Sequence, residues 1–109
     1  MAGFVKGDIV VIPFPFSDLS GSKKRPAMVL ADLAGDDIIL CQVTSQQSKD
    51  VYAIPIDNSD FKIGSLPVSS NIRPSRIFTA DKKIIIKKAG TLNDSCVAKV
   101  SKILIKLLA

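Results

Sequence analysis

The sequence predicts a mainly β protein, a small, strongly bent antiparallel sheet or barrel capped by one C-terminal helix. Five or six short apolar runs, separated by turn formers, fill most of the chain. Over the last stretch the apolar spacing changes from strand-like to helical. The chain has 109 residues, with 47% apolar against 23% charged, which suits one globular domain over residues 1–109 and leaves no room for a second core.

The elements follow in order. Gly7-Asp8 signals a turn, and residues 9–12 form a short apolar strand. Pro13 and Pro15 then stop ladder pairing, so residues 14–24 should be an irregular loop or sheet rim. Residues 27–30 and 38–43 are strands joined through the turn Gly35-Asp36-Asp37. Both are apolar nearly throughout, as expected of central strands covered on both faces. Residues 44–50 are a polar exit, and residues 52–56 a short strand with Pro55 near its end. Residues 57–60 turn, and residues 61–72, rich in glycine, serine and proline, make a long excursion. Residues 76–79 and 84–86 are strands joined by residues 80–83. Asn93 then caps a helix whose apolar residues Val97, Val100, Ile103, Leu104, Leu107 and Leu108 recur at three and four, with Lys99, Lys102 and Lys106 opposite. That helix lays one face on the sheet or on a partner chain. No repeat, low-complexity tract or linker interrupts the chain.

The net charge is +5, all ten acids are aspartate, and there is neither glutamate nor histidine. Residues 82–106 hold seven lysines and a single acid, Asp94. Such a balance favours a polyanionic partner, or serves solubility alone. Cys41 lies in an apolar run and Cys96 in the helix, consistent with buried free thiols in a reducing cytosol. The N-terminus has no apolar signal region, and no run reaches the roughly 18 apolar residues needed to span a membrane, so the expected location is cytoplasmic, away from membranes.

The absence of histidine removes the usual acid–base side chain and the commonest metal ligand. Two distant cysteines exclude a zinc cluster, the aspartates are not spaced as an oxygen cage, and no nucleotide-binding glycine motif is present. No cofactor is expected. What remains for chemistry is arginine, lysine, hydroxyls and aspartate. That inventory suits RNA cleavage, where the substrate's 2′-hydroxyl is the nucleophile and the protein supplies charge and alignment at the phosphate. Arg25 stands at the mouth of a strand, its backbone biased to extended geometry by Pro26, whereas Lys23 and Lys24 follow the turn formers Gly21-Ser22. If residues 27–30 and 38–43 form a hairpin, register arithmetic places Thr44 and Ser45 beside Arg25 at one sheet end. A hydroxyl next to a guanidinium is a phosphate clamp, or Thr44-Ser45 simply ends the strand.

Several segments together resemble the MazF/PemK family of bacterial toxin endoribonucleases. They are G-D-I-V at residues 7–10, F-S-D-L-S at 16–20, R-P-A-M-V-L at 25–30 and Q-V-T-S-Q at 42–46, followed by G-S-L at 64–66, a basic strand at 73–79 and K-K-A-G-T-L at 87–92. The resemblance implies an SH3-like antiparallel barrel, a homodimer, and metal-independent cleavage of single-stranded RNA to a 2′,3′-cyclic phosphate. It also implies a cognate antitoxin whose acidic tail occupies the RNA groove, with operator DNA bound only through the toxin–antitoxin complex. Arg25 matches the family's catalytic arginine and Thr44 its catalytic threonine. Phe16 and Ser17 match a substrate-holding loop, where an exposed aromatic can stack on an unpaired base. Lys24, Ser45 and Gln46 flank the pair and complete the expected substrate contacts. Many members carry arginine and, two residues later, aspartate as acid and base. Here Arg73 fills the first position and Ser75 the second. Asp18 is then a fallback base, Arg73 acts in catalysis or only binds phosphate, and Arg76 is its substitute. A serine at that position also leaves open a binding module that holds RNA, DNA or an acidic peptide without cutting.

Overall fold

Apolar side chains on both faces of two adjacent strands set the centre of the molecule. The computed structural model describes residues 3–14, 23–46 and 49–109. Among them the chain forms β1 (Asp8–Phe14), β2 (Lys23–Asp32), β3 (Asp37–Thr44), β4 (Ile54–Ile56), β5 (Phe61–Gly64), β6 (Ser70–Asp81), β7 (Lys87–Leu92) and one helix, α1 (Asp94–Leu108). Single 3₁₀ turns lie at Asn58–Asp60 and Lys82–Ile84. The seven strands make one curled antiparallel sheet in the order β4-β6-β3-β2-β1-β7-β5.

Because side chains alternate along a strand, β2 and β3 feed two apolar layers. Met28, Cys41 and Val43 join Ile9, Ile72 and Leu92 beneath the helix residues Cys96 and Val100. Ala27, Val29, Ile38 and Leu40 face the other way with Val10 and Ile12, covered by Phe4, Phe78, Ile84 and Ile85. Residues 27–30 and 38–43 of the two central strands thus carry apolar side chains on both faces, with Gln42 the polar exception, as the sequence suggests. Both thiols are buried and free, and burial pushes Cys41 up to about 12. The Asn93 side chain accepts from Cys96 N at 2.9 Å and opens α1, while its backbone N–H donates to Asp60 O at 2.8 Å.

The differences from expectation have physical reasons. β1 runs through Pro13, which lies beyond the last β1–β7 rung at Val11 and so costs at most one bond near the strand's end. β2 begins at Lys23, four residues earlier than its apolar run, because β1 continues to pair with it as far as Phe14 opposite Lys23. The excursion contains a strand, β5, that pairs with β7. Gly64 has φ +77°, and a Cβ there would collide with the Ala89 backbone, so only glycine permits this approach. Residues 84–86 are not a strand. Asp81 accepts from Lys83 N at 2.9 Å and starts a 3₁₀ turn, from which Ile84 and Ile85 pack onto the second apolar layer. Leu108, assigned to the helix's packed side, is 75% exposed. None of the described helices is long and apolar enough to cross a membrane.

Candidate active site

The β2–β3 ladder carries Met28 opposite Cys41 and ends at Ala27 opposite Gln42. Pro26 comes next on β2, where the lack of an N–H donor suits a strand that has lost one neighbour. Two residues past the last rung stand Arg25 on one strand and Thr44 on the other. Both line one cavity of about 780 Å³. Its walls also include Lys24, Ser45 and Gln46, the cations Lys87 and Lys88 from β7, and Leu66, Pro67 and Val68 from the β5–β6 connection. Among the described lining residues four are cationic and none is acidic. Such a wall receives an anion.

Arg25 is half-buried, and its Nε is buried with no hydrogen-bond partner among the described residues. A buried donor left unsatisfied costs on the order of 1–3 kcal/mol, so the geometry favours an incoming acceptor. Thr44 is 7% exposed, and its Oγ1 accepts from Gln46 N at 3.2 Å. Its hydroxyl hydrogen stays available for donation. Gln46 O in turn accepts from Asn71 Nδ2 at 3.3 Å, which ties this strand exit to β6. Lys88 Nζ lies 3.9 Å from Oδ2 of the buried Asp8, whose Oδ1 accepts from Thr91 Oγ1 at 2.8 Å. Lys87 has no such ion pair among the described residues.

Arg73 occupies a different setting. It pairs with Gln42 across β3 and β6, donates from Nη1 to Gln42 Oε1 at 3.1 Å, and from Nε to Asp50 Oδ2 at 3.1 Å. It does not line the Arg25 cavity. Ser75, where the resemblance leads one to expect aspartate, donates its hydroxyl to the same Asp50 Oδ2 at 2.8 Å. Arg76 is exposed nearby. Phe16, Ser17 and Asp18 lie outside the described residues.

The structure therefore brings together Arg25, Thr44, Lys24, Ser45 and Gln46, and adds Lys87, Lys88 and an apolar wall that the sequence reading did not place there. The signal for the lysines was present in the basic run after residue 82, but their position depends on β7 pairing with β1, with Val11 opposite Lys87.

The class is thus a small β protein, a curled antiparallel sheet whose central strands part at a cation-rimmed cleft. The family it falls in follows from its sequence: residues 5–108 match the model for the PemK-like, MazF-like toxins of type II toxin–antitoxin systems, and the chain belongs to that family. A Deinococcus radiodurans MazE–MazF structure superposes with a TM-score of 0.77 at 20% identity, covering 98% of this chain and 97% of the other. A mycobacterial endoribonuclease in complex with its cognate antitoxin gives 0.74 at 14% identity, over 95% and 93%. The Mycobacterium tuberculosis toxin MazF-mt6 gives 0.73 at 13% identity, over 93% and 95%. At these identities the likeness is one of fold. No curated protein matches the sequence significantly.

Proposed function

We propose that the chain acts as one toxin domain, an endoribonuclease that cuts single-stranded RNA without a metal. The observation that carries this reading is the buried, unpartnered Nε of Arg25 in a cleft shared with the Thr44 hydroxyl, within a family of toxins. In this mechanism a scissile phosphodiester enters the cleft and meets Arg25, whose guanidinium donates to a non-bridging oxygen as negative charge grows there. Thr44 donates its hydroxyl hydrogen to the same phosphate and aligns it. The substrate's 2′-oxygen bonds to phosphorus, the bond to the 5′-oxygen breaks, and the products are a 2′,3′-cyclic phosphate and a 5′-hydroxyl. The 2′-hydroxyl proton passes to a phosphate oxygen or to water, and the departing 5′-oxygen takes up one proton from the same source. Among the described lining residues, lysine, arginine, glutamine and hydroxyl side chains offer no base at neutral pH.

Lys24, Ser45 and Gln46 hold the strand on either side of the scissile phosphate, and Lys87 and Lys88 attract the backbone. Phe16, Ser17 and Asp18 contact the substrate, while Arg73 and Arg76 bind phosphate further along. In the cell the protein acts in the cytoplasm as a homodimer. Its partner is a cognate antitoxin whose acidic tail competes for the same cleft, and operator DNA is reached only through that complex. The net charge of +5 supports a polyanionic substrate and an acidic inhibitor alike.

Incubation with a labelled oligoribonucleotide in EDTA tests the reading. Fragments ending in a 2′,3′-cyclic phosphate are expected. A salt-sensitive mobility shift with RNA left intact would instead establish a binding module, the reading that Ser75 favours.

A further inference from the structure

Pro74 has no N–H to give the ladder, and β6 departs from β3 where it occurs. Arg73 is opposite Gln42 and Ile77 opposite Cys41, so residues 74–76 bulge outward between two consecutive β3 rungs. Asp50, from the connection between β3 and β4, fills that bulge. Its side chain is 7% exposed and that of Arg73 20%. Its Oδ1 accepts from Tyr52 N at 2.9 Å, a local turn that fixes the carboxylate before it meets β6. Its Oδ2 then takes both the Ser75 hydroxyl and the Arg73 Nε.

We propose that Asp50 is a positioning residue for Arg73, holding its guanidinium to bind the RNA phosphate next to the scissile one. This rests on the ribonuclease reading given above. With Nε spent on Asp50 and Nη1 on Gln42, the fork is fixed on one side, and among the described residues Nη2 has no partner and remains for a ligand. Gln42 and Thr44 are two residues apart on one strand face, about 6.8 Å, so the guanidinium sits one step along the sheet from the cleft. Asp50 itself is no general base. Three donors already occupy its oxygens, and a carboxylate so satisfied gives up its hydrogen bonds only at a cost.

The test compares the parent protein with Asp50→Asn and with the double variant Asp50→Asn/Ser75→Asp. Asparagine keeps the shape and the Tyr52 turn but withdraws the charge from Arg73. A phosphate contact that is loosened acts on bound substrate and transition state equally, so KM for an oligoribonucleotide should rise about tenfold with kcat nearly unchanged. In an NMR spectrum without RNA, the Arg73 Nε–H resonance should move toward that of exposed arginines. The Ser75 hydroxyl lies 2.8 Å from Asp50 Oδ2, so aspartate at position 75 returns a carboxylate to the same place and should restore both KM and the resonance. A purely structural link would lower the melting temperature without this split or this rescue. A parent protein that leaves RNA intact overturns the ribonuclease reading, and the positioning role with it. A parent that cuts, with Asp50→Asn matching its KM or the double variant failing to recover it, overturns the positioning role alone.

Discussion

Arg25, at the mouth of β2, carries a buried Nε with no partner among the described residues, while Arg73, in β6, spends its Nε on Asp50 and an Nη on Gln42. Both are arginines on strands at the same region of one sheet. They differ in what surrounds them: among the described residues three further cations and no acid line the cleft of Arg25, and Arg73 has a carboxylate within hydrogen-bond reach. A charge neutralised by its own protein is at rest, whereas one left short of acceptors is held at some expense until a ligand arrives. In the proposed mechanism the contrast separates a group aimed at the reacting atoms from one held in place by its neighbours.

Two substitutions test that contrast hardest. Arg25→Ala should lower turnover at least a hundredfold, about 2.7 kcal/mol of transition-state stabilisation, while leaving the melting temperature equal or raised, because an unsatisfied donor disappears with it. Asp50→Ala should do the reverse, costing roughly 1–2 kcal/mol in denaturant unfolding because the Arg73 guanidinium loses its acceptor. If Arg25→Ala both retains activity and unfolds early, the assignment of the two arginines is inverted. Next in size comes Thr44→Val, which keeps the buried volume and removes only the hydroxyl. Single-turnover rates should fall by about tenfold to a hundredfold, and a rate equal to the parent's would make Thr44 a strand terminator and nothing more.

The half of this contrast that was legible in the sequence is the half that depends on local pairing. Residues 27–30 and 38–43 are apolar at nearly every position, as expected of a strand covered on both faces, and a hairpin through Gly35 places Arg25 and Thr44 together by counting. The register even absorbs a shift between Val29 and Ala31 without separating them. The Asn93 cap and helical spacing of α1 were equally plain. The other walls of the cleft come from non-local pairings, β7 on β1 and β5 on β7, whose partners no local pattern names. Likewise, nothing around Asp50 announces that a bulge twenty-odd residues later would bring Ser75 and Arg73 to it. The isoleucines at 84–86 misled for a related reason: Ile84 and Ile85 pack, part-buried, onto the second apolar layer from a 3₁₀ turn, and Ile86 is half exposed, so an apolar run here does not mark a strand.

Lys87 offers a smaller and more graded test of the cleft side. It is exposed and lines the same cavity as Lys24 and Arg25. Lys87→Ala should weaken RNA binding similarly for all sequences and reduce the slope of log affinity against log salt by about one, as expected when a single phosphate contact is lost. The same substitution should leave the Arg73 Nε–H resonance unmoved. An unchanged salt slope would place the RNA backbone elsewhere.

The smallest expected effect is an absence of pH response from the Arg73 side. The Tyr52 backbone N–H, with the Ser75 hydroxyl and the Arg73 guanidinium, holds the Asp50 carboxyl below its ordinary value of 3.8, outweighing the opposing influence of burial. A carboxyl depressed in the folded state contributes stability that is fully present above its unfolded pKa, about 3.9, and is lost as pH falls through the lower folded value. Between about pH 5 and pH 9 Asp50 therefore stays ionised and imposes no limb on the pH–rate profile. Acid titration followed by NMR should show the Arg73 Nε–H resonance steady to about pH 4, moving only below it. Movement between pH 5 and pH 7 would mean that the carboxylate is free to exchange its proton in the working range, and Asp50 would then have to be considered as the missing base itself.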